Sequence, residues 1–146
     1  NPRSWSWLSG PGELRYRSSL LAKGSDGANV ALLVNLSGRN NEETVRTKEL
    51  GEQPWIYEIT LADREPETNL LRARADLDRF VEEYGCLLAR IRQAHPWVRS
   101  IHVFPAVPAS VAVAMGLHRL PKVDPSLLIY DRDERRGGFV RTMEVK

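Results

Sequence analysis

An uninterrupted apolar run, VALLV at Val30–Val34, constrains the fold more than any other stretch of the chain. The run breaks shortly afterwards at Ser37-Gly38, where a strand would give way to a loop. A strand with apolar side chains on both faces is typical of the centre of a parallel sheet, because other layers cover both of its sides. The sequence therefore predicts an α/β domain built around this strand.

A second strand and a long helix follow from hydrophobic periodicity. Alternating apolar residues in WIYEITL predict a strand over Trp55–Leu61, and one of its faces is expected to be less buried. Apolar residues at three-to-four residue spacing then predict an amphipathic helix. This helix would begin with Thr68 or Asn69 as its cap and end just before Pro96.

The rest of the chain alternates between strand and helix. The expected elements are a strand at Ser100–Phe104, a turn at Pro105–Pro108, a helix from Ala109 to about Leu120, a strand at Leu127–Tyr130 and a closing strand after the Gly-Gly turn. This alternation favours right-handed crossovers and an open, mainly parallel sheet flanked by helices. Residues 1–27 have Gly and Pro breaks and no clear period, so they are expected to be a linker or hairpin from an upstream region, with the domain at 28–146.

Composition limits the class of protein without choosing its function. A length of 146 residues suits one domain with a core of its own. The net charge of +2 is too small to argue for nucleic-acid binding on bulk charge, and no apolar run approaches the roughly 20 residues of a membrane-spanning helix. Only four of the 21 basic residues are lysines. Arginine suits bidentate phosphate contacts, although a genomic bias towards arginine gives the same composition.

Residues that could perform catalysis or hold a metal ion are scattered. The three histidines form no cluster with Cys, Asp or Glu at ligand spacing, and neither a Walker loop nor a GxGxxG loop follows a strand. Ser110 could pair with His102 or His118, yet no GxSxG elbow surrounds it. The single cysteine, Cys86, lies in the long helical pattern and is expected to be a buried small hydrophobe. The sequence predicts no catalytic residue, no metal site and no cofactor.

Two predicted strand ends carry a candidate binding site, because ligands of open α/β sheets bind outside the carboxyl ends of the strands. NLSGRN offers a hydroxyl, a flexible residue and a guanidinium at Ser37, Gly38 and Arg39. FPAVPAS leads into a helix N-terminus, where free N–H groups and the helix dipole favour a phosphate. The candidate residues there are Phe104, Pro105, Ala106, Pro108, Ala109 and Ser110. Together the two segments predict a phosphate-binding edge, which we call the crest (residues 37–39 and 104–110).

Three further residues, Lys122, Tyr130 and Arg132, lie near the next predicted strand and its end, and they join the candidate ligand-binding set. Ordinary surface placement explains these three equally well. Arg39 could likewise be a solvated loop arginine.

Three segments of the chain resemble the C-terminal half of the SAVED domain. They are ALLVNLSGRN, IHVFPAVPASVAVAMGLHRLPKVDPSLLIYDRD and GGFVRTMEV. SAVED domains are sensors fused to varied effectors in bacterial anti-phage systems such as CBASS and some CRISPR loci. The resemblance covers roughly Val30 to Val145. It implies a Rossmann-like, CARF-like half-domain that binds a cyclic oligonucleotide (a cyclic di-, tri- or tetranucleotide) across a crest between two such halves.

The resemblance also implies partners and a location. A fused or associated effector, such as a nuclease, a TIR domain, a protease or a membrane segment, would perform the catalysis, so this chain would be neither an enzyme nor inserted in a membrane. Ligand-driven self-association in the bacterial cytoplasm would switch that effector on.

One departure from the SAVED pattern concerns the first CARF-like half, which we do not find before Ala28. The chain, which begins without Met, would then be a truncated form, a cleaved piece, or a half completed by an upstream segment or a partner. Two other functions stay open. The chain could be a ring nuclease that cleaves its cyclic ligand, or an assembly module that ignores nucleotides.

Overall fold

A mixed sheet with helices makes up the described part of the chain. The computed structural model describes residues 12–40, 50–68, 70–118, 124–133 and 138–146. Within these residues there are six strands in one sheet and two helices. In chain order the elements are β1 Tyr16–Ala22, β2 Val30–Asn35, β3 Trp55–Leu61, α1 Arg74–Ala94, β4 Ser100–Ala106, α2 Ala109–Leu117, β5 Ser126–Asp133 and β6 Gly138–Val145.

The sheet is parallel at its centre and antiparallel at both edges. Its strand order is β1-β3-β2-β4-β5-β6. Each of the pairs β3-β2, β2-β4 and β4-β5 is parallel, whereas β1 and β6 run against their neighbours. The α/β class is therefore confirmed, and the description as mainly parallel holds only for the four central strands.

The apolar run that predicts a central strand forms β2, the most buried strand. All six of its residues are buried, and it pairs with β3 on one side and β4 on the other. The second predicted strand also has the expected bounds as β3. Its faces differ from the expectation, however, because both are covered. The only half-buried positions of β3 are Trp55 and Tyr57.

Both helices of the described chain pack on the same face of the sheet. One apolar cluster joins both helices to β2. It contains Phe80 and Tyr84 of α1, Val111 and Met115 of α2, and Leu32 of β2. The connections through α1 and α2 both run towards the β6 edge, so right-handed crossovers place them on one face. The connection from β2 to β3 runs the other way, and its described part contributes Leu50 to the core of the opposite face. Among the described residues, helices thus cover one face of the sheet, and residues 41–49 of the β2–β3 connection lie outside the described ranges.

The segment before Ala28, expected to be a linker or hairpin, contributes a sheet strand instead. Residues Tyr16–Ala22 form β1, which pairs with β3 through a register shift between Leu20 and Ala22. The strand lies at the sheet edge, and Leu20 and Leu21 are exposed. An edge strand without a regular buried face lacks the period-two signal by which strands are recognised. Residues 1–11 lie outside the described part of the chain.

The boundaries of the helices differ from the expected ones. Helix α1 begins at Arg74 rather than near Thr68, and Ala73 at its N-cap position makes no side-chain capping bond. Leu70 and Leu71 are buried in the same cluster as the helix, so an extended segment prolonged its apolar pattern. Asn69, the alternative cap, lies outside the described residues. Helix α2 ends at Leu117, and the expected terminus near residue 120 also lies outside the described ranges.

Strand β4 runs further than expected, through Pro105 to Ala106, so only Val107 and Pro108 separate it from α2. The carbonyl of Ala106 faces the β2 side, where it accepts hydrogen bonds. By alternation along the strand, Pro105 faces β5. Strand β5 pairs with β4 only as far as Val103. The sheet therefore loses no hydrogen bond at Pro105, although proline has no backbone N–H.

The expectation for Cys86 is wrong, because its side chain is exposed. The buried residues of α1 include Tyr84, Leu87 and Leu88, and Cys86 lies beside this stripe on the outer surface. No helix among the described residues is both long enough and apolar enough to cross a membrane.

Candidate functional site

The loops after β2 and β4 meet at the carboxyl edge of the sheet. The backbone N–H groups of Leu36 and Ser37 both donate to the carbonyl oxygen of Ala106, at 2.9 and 2.8 Å. The loop after β3 joins them, because Glu67 N–H donates to the carbonyl oxygen of Leu36 at 3.1 Å. The two halves of the predicted crest are thus bonded to each other through their backbones.

The crest lies where the strand order reverses. From β2 the chain moves to β3 on one side, and it then crosses back through α1 to β4 on the other side of β2. The connections that follow β2 and β4 therefore continue towards opposite edges of the sheet, while their first residues stay bonded to each other. This switch point is the usual ligand position of open α/β sheets.

Small residues lie where the two loops of the crest meet. A Cβ atom built on Gly38 would lie 3.7 Å from the Cβ of Ala106, which is ordinary van der Waals contact. Gly38, Pro105 and Ala106 are all half-buried. This part of the crest can therefore come close to a bulky ligand without large side chains in between.

The N-terminus of α2 is open at the crest. Pro108 occupies the N-cap position with extended backbone angles, and no side chain caps the helix. Its carbonyl oxygen accepts from the N–H groups of Val111 and Ala112, at 3.0 and 3.2 Å. Ala109 is exposed and Ser110 is half-buried in the first turn. The positive end of the helix dipole thus lies at the crest beside a hydroxyl group.

Arg39 presents a guanidinium at the crest, paired with a carboxylate from the loop after β3. Its Nη2 lies 3.0 Å from Oε2 of Glu65, with side-chain exposures of 47% and 87%. Exposed ion pairs contribute little to stability. An anionic ligand could therefore replace Glu65 at low cost.

The side chains of Phe104, a crest residue, and of Tyr130 lie below the crest surface. Both are buried in the core of the second face, with their rings stacked at 4.5 Å between centroids. The Tyr130 hydroxyl is hydrogen-bonded to Nδ1 of the buried His102 at 2.7 Å. In this conformation the two side chains support the strand ends from below.

The last two candidate residues follow the second half of the crest in the sequence. Arg132 lies on β5 opposite Phe139 of β6 in the strand pairing. Lys122 lies outside the described residues.

A buried polar cluster that no sequence motif indicates lies beneath the loop that follows β2. Asn35 donates through Nδ2 to Oε2 of Glu58 at 2.7 Å and to the carbonyl oxygen of Asn40 at 3.0 Å. Its Oδ1 accepts from the backbone N–H of Asn40 at 2.9 Å. The only local signal is a polar residue at the end of an otherwise apolar strand.

Within the described ranges, three titratable groups with shifted pKa values lie away from the crest. Burial lowers the pKa of His95, whose Nε2 is 2.7 Å from the Tyr57 hydroxyl beside the amino end of β3. Burial also raises the pKa of Tyr57, and burial with the nearby Asp76 carboxylate raises that of Tyr16. Among the described residues there is no group of three or more His, Cys, Asp or Glu that could hold a metal ion.

A cleft of about 690 Å³ lies beside β1 and α1 and includes none of the crest residues. Its lining mixes charges of both signs, from Glu13, Arg15, Arg79, Glu82 and Glu83. The crest, in contrast, is an open surface at the strand ends.

The same fold occurs in solved structures of a SAVED/CARF-domain containing receptor, Cap4 of Acinetobacter baumannii. Its complex with 2′3′3′-cAAA matches at a TM-score of 0.69 and 15% identity, over 97% of this chain and 29% of the receptor. Its complex with 3′3′3′-cAAA matches at a TM-score of 0.69 and 15% identity, over 92% of this chain and 28% of the receptor. A third Cap4 structure matches at a TM-score of 0.63 and 14% identity, over 90% of this chain and 26% of the receptor. The chain therefore spans less than a third of the length of these receptors.

The sequence places the chain more narrowly. The family model of the SMODS-associated and fused to various effectors sensor domain, SAVED, matches residues 1–145, and the chain belongs to this family. The resemblance seen in the sequence is confirmed, and the match also includes the segment of β1. No curated protein matches the chain.

Proposed function

We propose that this chain is a sensor module of bacterial anti-phage defence that binds a cyclic oligonucleotide at the crest. The observation that carries the proposal is the bonding of both Leu36 and Ser37 N–H groups to Ala106. Those bonds hold the Arg39 loop against the open N-terminus of α2 at the switch point of the sheet. Membership of the SAVED family and the cyclic trinucleotides of the Cap4 structures support the choice of ligand.

Different crest residues would bind different parts of the ligand. The first-turn N–H groups of α2 and the Arg39 guanidinium suit phosphate oxygens, since charge-assisted hydrogen bonds are the stronger ones. The Ser37 and Ser110 hydroxyls suit phosphate or ribose oxygens. The small residues Gly38 and Ala106 leave room for bases. Lys122 and Arg132 are proposed as further cations near the ligand.

We propose no catalytic residue and no cofactor for this chain. A ring nuclease would need a general base near the ligand, and His102 is the histidine closest in sequence to the crest. This residue is only 6% exposed, and its Nδ1 is hydrogen-bonded to the Tyr130 hydroxyl. Incubation with cyclic tri-adenylate followed by chromatography should return the ring intact, whereas linear product would favour the nuclease.

Binding would act on an effector by changing how copies of the chain pack. Helix α2, which starts at the crest, exposes Val113 and Leu117 by 61% and 75%. A ligand can shift this packing only through a higher affinity for the assembled state. We expect the mass measured by light scattering to rise when cyclic tri-adenylate is added. Assembly that ignores the nucleotide would favour a purely structural module.

The effector would be fused to the chain or associated with it in the bacterial cytoplasm. A nuclease, a TIR domain, a protease or a membrane segment would each suit this role. Activity of the effector that rises with ligand, in the full-length protein, is the corresponding measurement.

Isothermal titration with cyclic di-, tri- and tetra-adenylates tests the binding itself. Arg39→Ala should weaken it by about 1.5–3 kcal/mol, since hydrogen bonds to charged groups contribute on that order. Arg99→Ala is the matched control, because Arg99 is exposed next to the amino end of β4. No binding of any cyclic di-, tri- or tetranucleotide by the full-length protein would refute the proposed function.

A further inference from the structure

A buried cluster of amide and carboxylate groups lies next to the loop that carries Arg39. Asn35 is fully buried at the end of β2, and Glu58 of β3 is 5% exposed. The Asn35 amide uses both ends of its side chain. Nδ2 donates to Glu58 Oε2 and to the Asn40 carbonyl, and Oδ1 accepts from the Asn40 N–H.

The paired hydrogen bonds between Asn35 and Asn40 close a loop whose interior is residues 36–39. The Asn35 side chain takes the place of a neighbouring strand for the Asn40 backbone, as Asn side chains do in turns. At the other end of the loop, Leu36 and Ser37 bond to Ala106. The loop that carries Arg39 is therefore fixed at both of its ends.

Asn40 adds a third attachment. Its Nδ2 donates to the carbonyl oxygen of Phe104 at 3.2 Å. The loop after β2 is thereby tied to β4 through side-chain bonds as well as through its backbone. Movement of the loop away from the N-terminus of α2 would break bonds on both strands.

Glu58 determines which way the Asn35 amide faces. After a half-turn of the amide, Oδ1 would face the Glu58 carboxylate and the Asn40 carbonyl, while NH₂ would face the Asn40 N–H. Those contacts would be oxygen to oxygen and donor to donor, so the carboxylate selects the orientation that holds the loop. Burying a carboxylate costs stability that an apolar pair would not cost. The arrangement is therefore better explained by geometry than by stability.

We propose that Asn35 is a positioning residue of the crest and that Glu58 orients it, so that the loop from Leu36 to Arg39 is ordered before a ligand arrives. A preformed loop spares the ligand the cost of ordering it, which raises affinity without adding a contact. This inference rests on the proposed function for the identity of the ligand. The order of the loop itself can be measured without any ligand.

Asn35→Asp tests the positioning role, because it keeps the acceptor for Asn40 N–H but places a second carboxylate against Glu58. We expect the affinity for 3′3′3′-cAAA to fall by about tenfold or more, although Arg39 itself is not substituted. In the ligand-free protein the Asn40 N–H should exchange with solvent about tenfold faster than in the wild type.

The double variant Asn35→Asp/Glu58→Gln should rescue both measurements in part. The new carboxylate at position 35 can accept from the new amide at position 58 and from the Asn40 N–H, but the Asn40 carbonyl oxygen loses its donor. We expect its affinity to lie between those of Asn35→Asp and the wild type. Thr60→Val is the matched control for stability. Thr60 lies on the same strand and face as Glu58, and it loses one buried bond to the Asn35 backbone carbonyl.

The outcomes separate this inference from the proposed function. If the wild-type protein binds no cyclic oligonucleotide, the proposed function fails, and the Asn40 exchange rate alone then decides the positioning role. Equal exchange in the wild type and Asn35→Asp overturns the inference. So does an equal loss of affinity in Thr60→Val and Asn35→Asp at equal thermal midpoints. If Asn35→Asp does not fold, Asn35→Ser takes its place, because the shorter hydroxyl cannot reach both Glu58 and Asn40.

Discussion

The two ends of the parallel strands bury polar groups in opposite ways. At the carboxyl end, Asn35 and Glu58 are buried with a hydrogen bond between them, and Asn35 also holds the loop at Asn40. At the amino end, His95 is buried against two tryptophan rings, and its Nδ1 has no hydrogen-bond partner. One end uses buried polarity to fix a loop. The other end tolerates an unpaired nitrogen within an aromatic cluster.

This difference separates stability from geometry. An unpaired buried nitrogen costs stability, and the packing of the surrounding rings offsets that cost. A completely bonded polar cluster adds little net stability but fixes the positions of its members. Substitutions at the amino end should therefore change mainly the free energy of unfolding. Those on the crest surface should change mainly the affinity for the ligand.

The largest expected effect tests whether the crest depends on packing as well. Phe104→Ala removes a fully buried ring that stacks on Tyr130 beneath the crest. We expect the free energy of unfolding to fall by about 3–5 kcal/mol. Trp97→Ala, at the amino end, removes a ring that is 43% exposed and should cost less than half as much. Urea unfolding of the two variants measures both values, and a loss in Phe104→Ala no larger than that in Trp97→Ala would show that the crest does not depend on this packing.

A glycine at each end provides the next comparison. A Cβ on Gly24, near the start of β3, would lie 2.6 Å from the Gln53 carbonyl oxygen and 2.7 Å from the Trp55 backbone nitrogen. Gly24→Ala should therefore destabilise by about 1–3 kcal/mol through overpacking. Gly38→Ala meets only Ala106 at contact distance and should stabilise by about 0.4–1 kcal/mol through the unfolded state.

Thermal unfolding and ligand titration of both glycine variants complete that test. Gly38→Ala should gain stability and lose affinity, because its methyl group would occupy space between the two loops of the crest. Unchanged affinity for 3′3′3′-cAAA would place the ligand away from Gly38.

The pH dependence of stability should report on the amino end. Burial lowers the pKa of His95 in the folded protein, so the unfolded chain binds a proton at a pH where folded His95 stays neutral. Stability should therefore be complete above the unfolded value of about 6.5 and should fall as the pH drops through it. Urea unfolding between about pH 8 and about pH 5 measures the slope.

His95→Phe provides the comparison for that slope. The phenyl ring keeps the packing against the tryptophan rings but cannot bind a proton. Its stability should fall less steeply below about pH 6.5 than that of the wild type. The same slope in both proteins would show that His95 does not cause the dependence.

Long-range hydrogen bonds explain why the sequence predicts the fold better than the site. The run at Val30–Val34 and the alternation at Trp55–Leu61 are local patterns, and both strands have nearly the bounds they predict. The meeting of the loops after β2 and β4 follows from a general rule of parallel sheets. The partners Asn35 and Glu58 are 23 residues apart in sequence, and no local period connects them.

Two segments have a backbone conformation that differs from the predicted one. Leu70 and Leu71 prolong the apolar pattern of α1 because they enter the same core from an extended segment. Strand β1 lacks a regular buried face because it lies at the sheet edge. For Leu70 and Leu71 the apolar pattern indicates burial correctly. In both segments the backbone conformation depends on neighbours that are distant in sequence.

The smallest expected effect would sharpen the comparison at the crest surface. Glu65 forms an exposed ion pair with Arg39, so its carboxylate competes with a ligand phosphate for the guanidinium. Glu65→Gln should raise the affinity for 3′3′3′-cAAA by no more than about fivefold, since such pairs contribute about 0.2–1 kcal/mol. The gain should shrink at high salt, which screens exposed charges. Asp78→Asn, which breaks the exposed pair with Arg74 on α1, is the matched control and should leave the affinity unchanged. A weaker affinity in Glu65→Gln would mean that Glu65 orients Arg39 for the ligand instead of competing with it.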